Sequence, residues 1–315
     1  MQQTVNKEIA KSRIYSLDIL RGVVIILCVF LTAIPKGDYE YHFAHHADWY
    51  GITLIDFILP AFITMIGTSM AIGYKKGVNW LKLSKRTFLF ILYGLIFTMI
   101  ISWNLDFATL RFTGVLQLFA IIGVLTAIIT RITQSPLKIM IIALFITSLY
   151  GGFVISFSEG CSESLPQPTC NPSQPIDSFI FGENHLYHQG KPGYDPEGLL
   201  VSLSALSNSL IGFAMGRILL NRKTGTVWKQ LFIYGSIIVI FAFIWKEFLP
   251  FNKKIWTPSF SLLTAGATCL SLSFLYLIYD HFQISKQTSL LNPINFFLEG
   301  FGRNSFFNLF REFYP

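Results

Sequence analysis

Residues 42–60 read HFAHHADWYGITLIDFILP. Three imidazoles, His42, His45 and His46, stand before an apolar run that carries one carboxylate, Asp56. From Ile52 to Tyr74 there is no other Asp, Glu, Lys or Arg. A hydrocarbon core about 30 Å thick takes roughly 20 apolar residues per helix, so the run predicts a membrane span with histidines at its edge. The whole chain agrees. Its 315 residues are 52% hydrophobic and 13% charged, with mean hydropathy +0.53, too few charges for a soluble domain of this length. The expected fold class is all-α, a polytopic membrane helical bundle read as one transmembrane domain, 1–315.

About nine spans are expected, at 17–34, 52–74, 87–103, 110–130, 137–157, 197–219, 230–249, 257–279 and 293–312; the last carries Glu299, Arg303, Arg311 and Glu312. The net charge of +7 does not call for nucleic acid, because membrane proteins gather Lys and Arg in cytoplasmic loops. Here one set of loops holds Lys7, Lys11, Arg13, Lys75, Lys76, Lys82, Lys85, Arg86, Arg131, Lys138, Arg217, Arg222, Lys223 and Lys229. The alternate loops hold Asp38, Glu40, Asp48, Asp106, Glu159, Glu163, Asp177 and Glu183. This asymmetry predicts a cytoplasmic N-terminus, with the histidines and the long loop of about 158–196 on the other face. The first apolar run leads into Pro35-Lys36-Gly37 rather than a small-residue cleavage site, so no cleavable signal peptide is expected.

In that long loop Cys161 and Cys170 lie with eight residues between them, placed to pair in an oxidising compartment; two thiols are the alternative. Cys28 and Cys269 fall inside spans and read as small buried hydrophobes. A connection this long is usually functional. Its change from LPQPTCNPSQP to FIFGENHLYHQGKPGYDPEG suggests a lid facing substrate.

The chemistry-bearing residues admit competing readings. A histidine at the outer edge is interfacial filler, a general base or nucleophile, or a metal ligand, since His42 and His46 have i, i+4 spacing; no further ligand motif supports a metal. Ionisable groups in apolar spans mark sites or buried pairs. Asp18 and Arg21 can pair as helix neighbours. Asp56 can orient a histidine as the acid of a triad does, or pair with Arg111. Asp195 and Glu197, in YDPEG, suit a helix N-terminus or a polar substrate at the mouth. GFAMG, Gly212 to Gly216, has helix-packing spacing. No internal repeat relates the halves, which argues against a repeat-built transporter.

Five stretches also carry a resemblance. They are SLDILRG (16–22), the motif His-Ala-x-Trp-x-Gly-x-Thr-x-x-Asp-x-x-x-Pro from His46, RFTGVLQ (111–117), the run of IDSFIFGENHLY and YDPEGLLVSLSALSNSLIGFAMGRIL, and GFGRNSFF (300–307). The first resembles the start of several membrane acyltransferase families, and the other four, in this order, resemble the heparan-alpha-glucosaminide N-acetyltransferase family, with its bacterial relatives of the NagX type. The resemblance implies transfer of an acyl group from cytosolic acetyl-CoA or another acyl-CoA to the amine of a terminal glucosamine across the membrane. It puts the catalytic histidine on His46, and the expected mechanism has Asp56 hold that histidine in orientation. The candidate substrate-binding residues are Trp49, Arg111, Gln117, His185, Tyr187, Asp195, Glu197 and Asn304. Lys75, Lys76, Lys82, Lys85 and Arg86 are the candidates for the CoA phosphates, although loop topology explains them equally well.

Two departures stand out. The family has an Asn, a donor to the developing oxyanion, where this chain has Thr32, whose hydroxyl is the candidate catalytic donor in its place, and it continues through another span where this sequence stops at Pro315. The expected partners are membrane lipids, acyl-CoA and an amino-sugar acceptor, with no metal; a homodimer is left open, and a bacterial inner membrane is the expected location. Two other readings compete, a transporter or flippase for sugars or cell-wall fragments and an inactive member serving as scaffold.

Overall fold

The structure is a computed structural model that describes residues 14–34, 41–103, 106–187, 193–222, 225–282, 297–298 and 300–302. Among these residues there is no strand, and eight helices are long and apolar enough to cross a membrane. The helices are α1 Tyr15–Ala33, α2 Ile58–Gly73, α3 Trp80–Ser102, α4 Val115–Ile132, α5 Pro136–Ser158, a short α6 Ser173–Phe181, α7 Leu199–Leu220, α8 Val227–Lys246 and α9 Pro258–Tyr276. The protein is a multi-pass membrane helical bundle. Most of the ninth expected span, and Asn304 with it, lies outside the described residues.

Among the span boundaries that differ from expectation, two show their cause. The third helix begins at Trp80 rather than 87, because Asn79 caps it by accepting from the Lys82 N–H (3.0 Å). Lys82, Lys85 and Arg86 therefore ride on its first turns as long stems whose charges reach the interface. The fourth begins at Val115 rather than 110. Residues 110–114 stay out of the helix because the Phe112 N–H bonds the His185 carbonyl (3.1 Å) and the Thr113 hydroxyl bonds Asp195 (2.5 Å).

The hub is α7, with 89% of its most apolar stretch buried, against 11% for the peripheral α3. Lipid is as apolar as leucine, so helices in a membrane adhere through close backbone approach and hydroxyl bonds. Both devices are present. Gly212 and Gly216 lie against the α2 backbone at Thr64 and Thr68, and Gly67 lies against Ser209. Thr68 donates to the Gly212 carbonyl (3.0 Å), Thr126 of α4 to Ser209 (2.9 Å), and Thr147 of α5 meets Ser204 (3.3 Å). On the α9 side, Asn208 donates to the Ser261 carbonyl (3.2 Å) and to the Thr264 hydroxyl (3.1 Å), and accepts from the Trp256 indole (3.1 Å). The GFAMG spacing thus serves packing.

The long loop is built, not slack. Cys161 and Cys170 form a disulfide, and the Asn171 carboxamide bonds the carbonyls of Gln167, Pro168 and Gly193 (3.0–3.1 Å). The acid that caps α7 is Asp177 of α6, which accepts from the Leu199 N–H (2.9 Å) and the Ser173 hydroxyl (2.7 Å). Burial pushes this carboxyl up to about 6, against the bonds from Ser173, Leu199 and Leu200 that favour its charge.

Replacing Gly212 by Leu is expected to cost about 1–3 kcal/mol or block folding, since a side chain there meets the α2 backbone. Gly123→Ala, with open space around the new methyl group, should keep the wild-type elution profile and melting temperature. A carboxyl raised in the folded state destabilises at pH above its folded value, and the loss is recovered as pH falls through about 6 toward its ordinary value. The melting temperature is therefore expected to rise between pH 7 and pH 5, and Asp177→Asn should flatten that rise in scanning fluorimetry.

Candidate active site

Asp56 is fully buried, so each of its oxygens needs partners. The local sequence supplies them. Thr53 opens the tight turn Leu54–Phe57 ahead of α2, and its backbone N–H and hydroxyl both lie 3.0 Å from Asp56 Oδ2. Oδ1 is left for His46 Nδ1, at 2.6 Å. With a carboxylate at Nδ1, the proton sits on that nitrogen, and Nε2 keeps the lone pair a base needs. The His46 side chain is 49% exposed, so the ring opens onto the mouth of the bundle.

A third member comes from the loop between α8 and α9. Lys253 Nζ lies 3.0 Å from His46 Nδ1, 3.2 Å from Nε2 and 3.6 Å from Asp56 Oδ1. Burial depresses its pKa, while Asp56 and Glu197 act in the opposite direction. Asn252 holds the turn that presents it, its side-chain oxygen accepting from the N–H groups of Lys254 (2.8 Å) and Ile255 (3.1 Å). The turn is tied to the histidine segment by Gly51 N–H to the Phe251 carbonyl (2.8 Å) and by the Lys254 ammonium to the Asp48 carbonyl. Sequence reasoning missed Lys253. Its signal was a pair of adjacent lysines, 253 and 254, in a loop on the base-poor side.

Arg111 does not pair with Asp56. It holds Asp195 Oδ1 and Glu197 Oε2, each at 2.6 Å, and its guanidinium covers the Tyr187 ring at 4.9 Å. Asp195 Oδ2 also accepts from the Tyr187 N–H (3.0 Å). Burial, together with the charge of Asp195, raises the Glu197 carboxyl, and Arg111 and Lys253 pull it back. Lys253 is thus within electrostatic reach of both clusters. The Asp195–Glu197 pair serves this cluster rather than the N-terminus of α7.

The other expected residues divide. Trp49 donates from its indole to the Pro166 carbonyl (2.8 Å) and packs on Tyr194 (5.1 Å), and the Tyr50 hydroxyl reaches the same carbonyl (2.5 Å). These two aromatics anchor the disulfide loop over the site. His185 stacks on Phe112 at 4.2 Å and binds the Leu110 carbonyl through Nδ1 (2.7 Å). Gln117, in the first turn of α4, is buried among Gly94 and Gly114. Thr32 is exposed near the end of α1, its hydroxyl on its own helix's Cys28 carbonyl (2.7 Å). Lys75, Lys76, Lys82, Lys85 and Arg86 are exposed at the opposite end of the bundle, about 30 Å from Asp56 along the helix rise. His42 and His46 share no helix face, because the turn His42–Ala44 gives way to extended chain at His45. Asp18 and Arg21 do pair, at 3.3 Å.

Comparison with known proteins follows the same residues. Residues 13–158, which include His46, Asp56, Arg111 and Gln117, match the family model described as heparan-alpha-glucosaminide N-acetyltransferase, catalytic. The human heparan-alpha-glucosaminide N-acetyltransferase is 24% identical across 95% of this chain and 54% of its own length. The mouse protein of that name is 23% identical across 88% and 50%. The chain therefore spans about half the length of the curated relatives it matches. With the His46 motif inside the matched region and the alignment covering 95% of this chain, this multi-pass membrane protein is similar to the heparan-alpha-glucosaminide N-acetyltransferase family.

Proposed function

We propose that the protein is a membrane N-acetyltransferase that moves an acetyl group from acetyl-CoA to the amine of a glucosamine-type acceptor. The observation that carries this reading is the His46–Asp56–Lys253 cluster at the mouth of the bundle. The acceptor amine attacks the thioester carbonyl, and His46 Nε2 takes the proton that the nitrogen must lose. Asp56, locked by Thr53, holds the ring in the required tautomer and balances its positive charge. The tetrahedral oxyanion forms beside the Lys253 ammonium, which the loop holds in place before reaction. Collapse forms the amide, breaks the C–S bond and releases CoA thiolate, which recovers the proton from His46. A transient acetyl-histidine is the covalent route with the same residues. Thr32 could take the family Asn's part only by exchanging its bond to Cys28.

CoA is polyanionic, and the basic end of the bundle supplies a matching field through Lys75, Lys76, Lys82, Lys85 and Arg86. In this arrangement the acyl arm enters from that cytoplasmic face and reaches His46 between helices, while the acceptor meets it on the face with the disulfide loop. Trp49, His185, Tyr187, Asp195, Glu197, Arg111 and Gln117 form the acceptor side.

The test uses purified protein with radiolabelled acetyl-CoA and glucosamine. His46→Ala is expected to lower kcat by about 10²–10⁴-fold, with CoA binding kept. Asp56→Asn should do comparable damage, on the order of 10⁴-fold when the tautomer is lost. A protein that binds no CoA would instead favour the transporter, and bound CoA without product from any amino sugar would favour the scaffold.

Lys253→Met is expected to lower kcat by about 10²–10³-fold with KM little changed. Because burial depresses the Lys253 ammonium, the alkaline limb of the wild-type kcat profile should fall below the ordinary lysine range. Lys253→Arg, charged throughout, should move that limb upward. An unmoved limb would remove Lys253 from the reaction.

A further inference from the structure

A cavity of about 370 Å³ opens between the outer halves of α3 and α4, within the usual size of a ligand pocket, about 300–1,000 Å³. Phe97, Thr98 and Ile101 of α3 and Leu116 of α4 form its mainly apolar wall. Arg111, Tyr187 and Glu197 cover its polar end. Here α3 turns apolar side chains such as Ile96, Ile100 and Ile101 outward, as a lipid-facing helix does, so the cavity adjoins the hydrocarbon. One polar group in the wall is unsatisfied. The Gln117 side-chain amide nitrogen is buried and has no hydrogen-bond partner among the described residues, although the residue is only 7% exposed. Such a group calls for an acceptor atom.

We infer that this cavity holds the hydrocarbon chain of an amphipathic acceptor, an amino sugar carried on a membrane-embedded chain. This assignment rests on the acetyltransferase reading. The chain lies along the apolar wall, and Gln117 donates to the oxygen joining sugar and chain. The sugar hydroxyls meet Glu197 and Arg111. Lys253, in contact with His46, also acts on the charge of Glu197, so the polar end of the cavity lies on the side of the base. A chain in the cavity would hold the acceptor at the membrane surface, where the reaction takes place.

The experiment uses the full chain in lipid nanodiscs, free of alkyl-glycoside detergent, with three probes: methyl glucosaminide, decyl glucosaminide and decyl glucoside. Binding and acetylation from acetyl-CoA are measured separately. Decyl glucosaminide is expected to bind roughly tenfold or more tighter than the methyl probe, because burying methylenes is favourable. Thr98→Phe, which fills the wall, should bring the two together, and Gln117→Leu should weaken the decyl probe by about fivefold. Equal binding of the methyl and decyl glucosaminides to wild type would overturn the inference. Decyl glucoside binding as tightly as decyl glucosaminide would also overturn it, marking a general lipid groove. Tight decyl glucosaminide binding with no acetylation would support the site and overturn the enzymatic reading instead.

Discussion

Everything at the mouth of the bundle depends on one buried charge. A carboxylate shut away from water at the rim of a membrane helix persists only if its oxygens are bonded and its charge is balanced. Asp56 meets that demand with Thr53 on one oxygen and His46 on the other, with Lys253 close by. Thr53 and His46 come from the local stretch and Lys253 from the loop between α8 and α9, so the demand draws that loop onto the histidine segment. The imidazole that results is oriented, half-exposed and adjacent to a cation.

The same end of the bundle is also held by bonds between loops. Pro166, inside the disulfide loop, offers one carbonyl to both Trp49 and Tyr50. Phe112 and His185 join the start of α4 to the end of the long loop. Lys254 joins the last loop to Asp48 and lies over Tyr194. The helices below can pack through glycine and hydroxyl contacts because the charged residues have been gathered above them.

Much of this was legible before any coordinates. The spans are long runs without charge, and length against bilayer thickness is a strong constraint. The pairing of Cys161 with Cys170 and the packing role of GFAMG followed from spacing and context. The choice of partner for Asp56 did not, because the rim offers both an arginine and a histidine, and only the path of residues 110–114 decides between them. Arg111 lies in an extended segment turned toward Asp195 and Glu197 and is taken up there. Lys253 was hidden for a different reason, since the two ends of its contact with His46 are 207 positions apart in sequence. Asp177 escaped notice as the cap of α7 because capping rules search the residues next to a helix start, and this cap folds back from 22 positions upstream.

The near-complete burial of α7 has a consequence for how the protein is made. Chains enter the membrane from the N-terminus as they are synthesised, so α7 arrives when α2, α4 and α5 are already in place. Its contacts at Gly212, Ser209 and Ser204 find those helices waiting. Asn208 does not, since its partners Trp256, Ser261 and Thr264 belong to α9 and the turn before it, made two spans later. Until α9 inserts, a carboxamide stands in the half-built bundle with its own partners not yet synthesised. The arrival of α9 therefore does more than add a helix: it supplies the partners of Asn208 and fastens α7 to the spans that follow it.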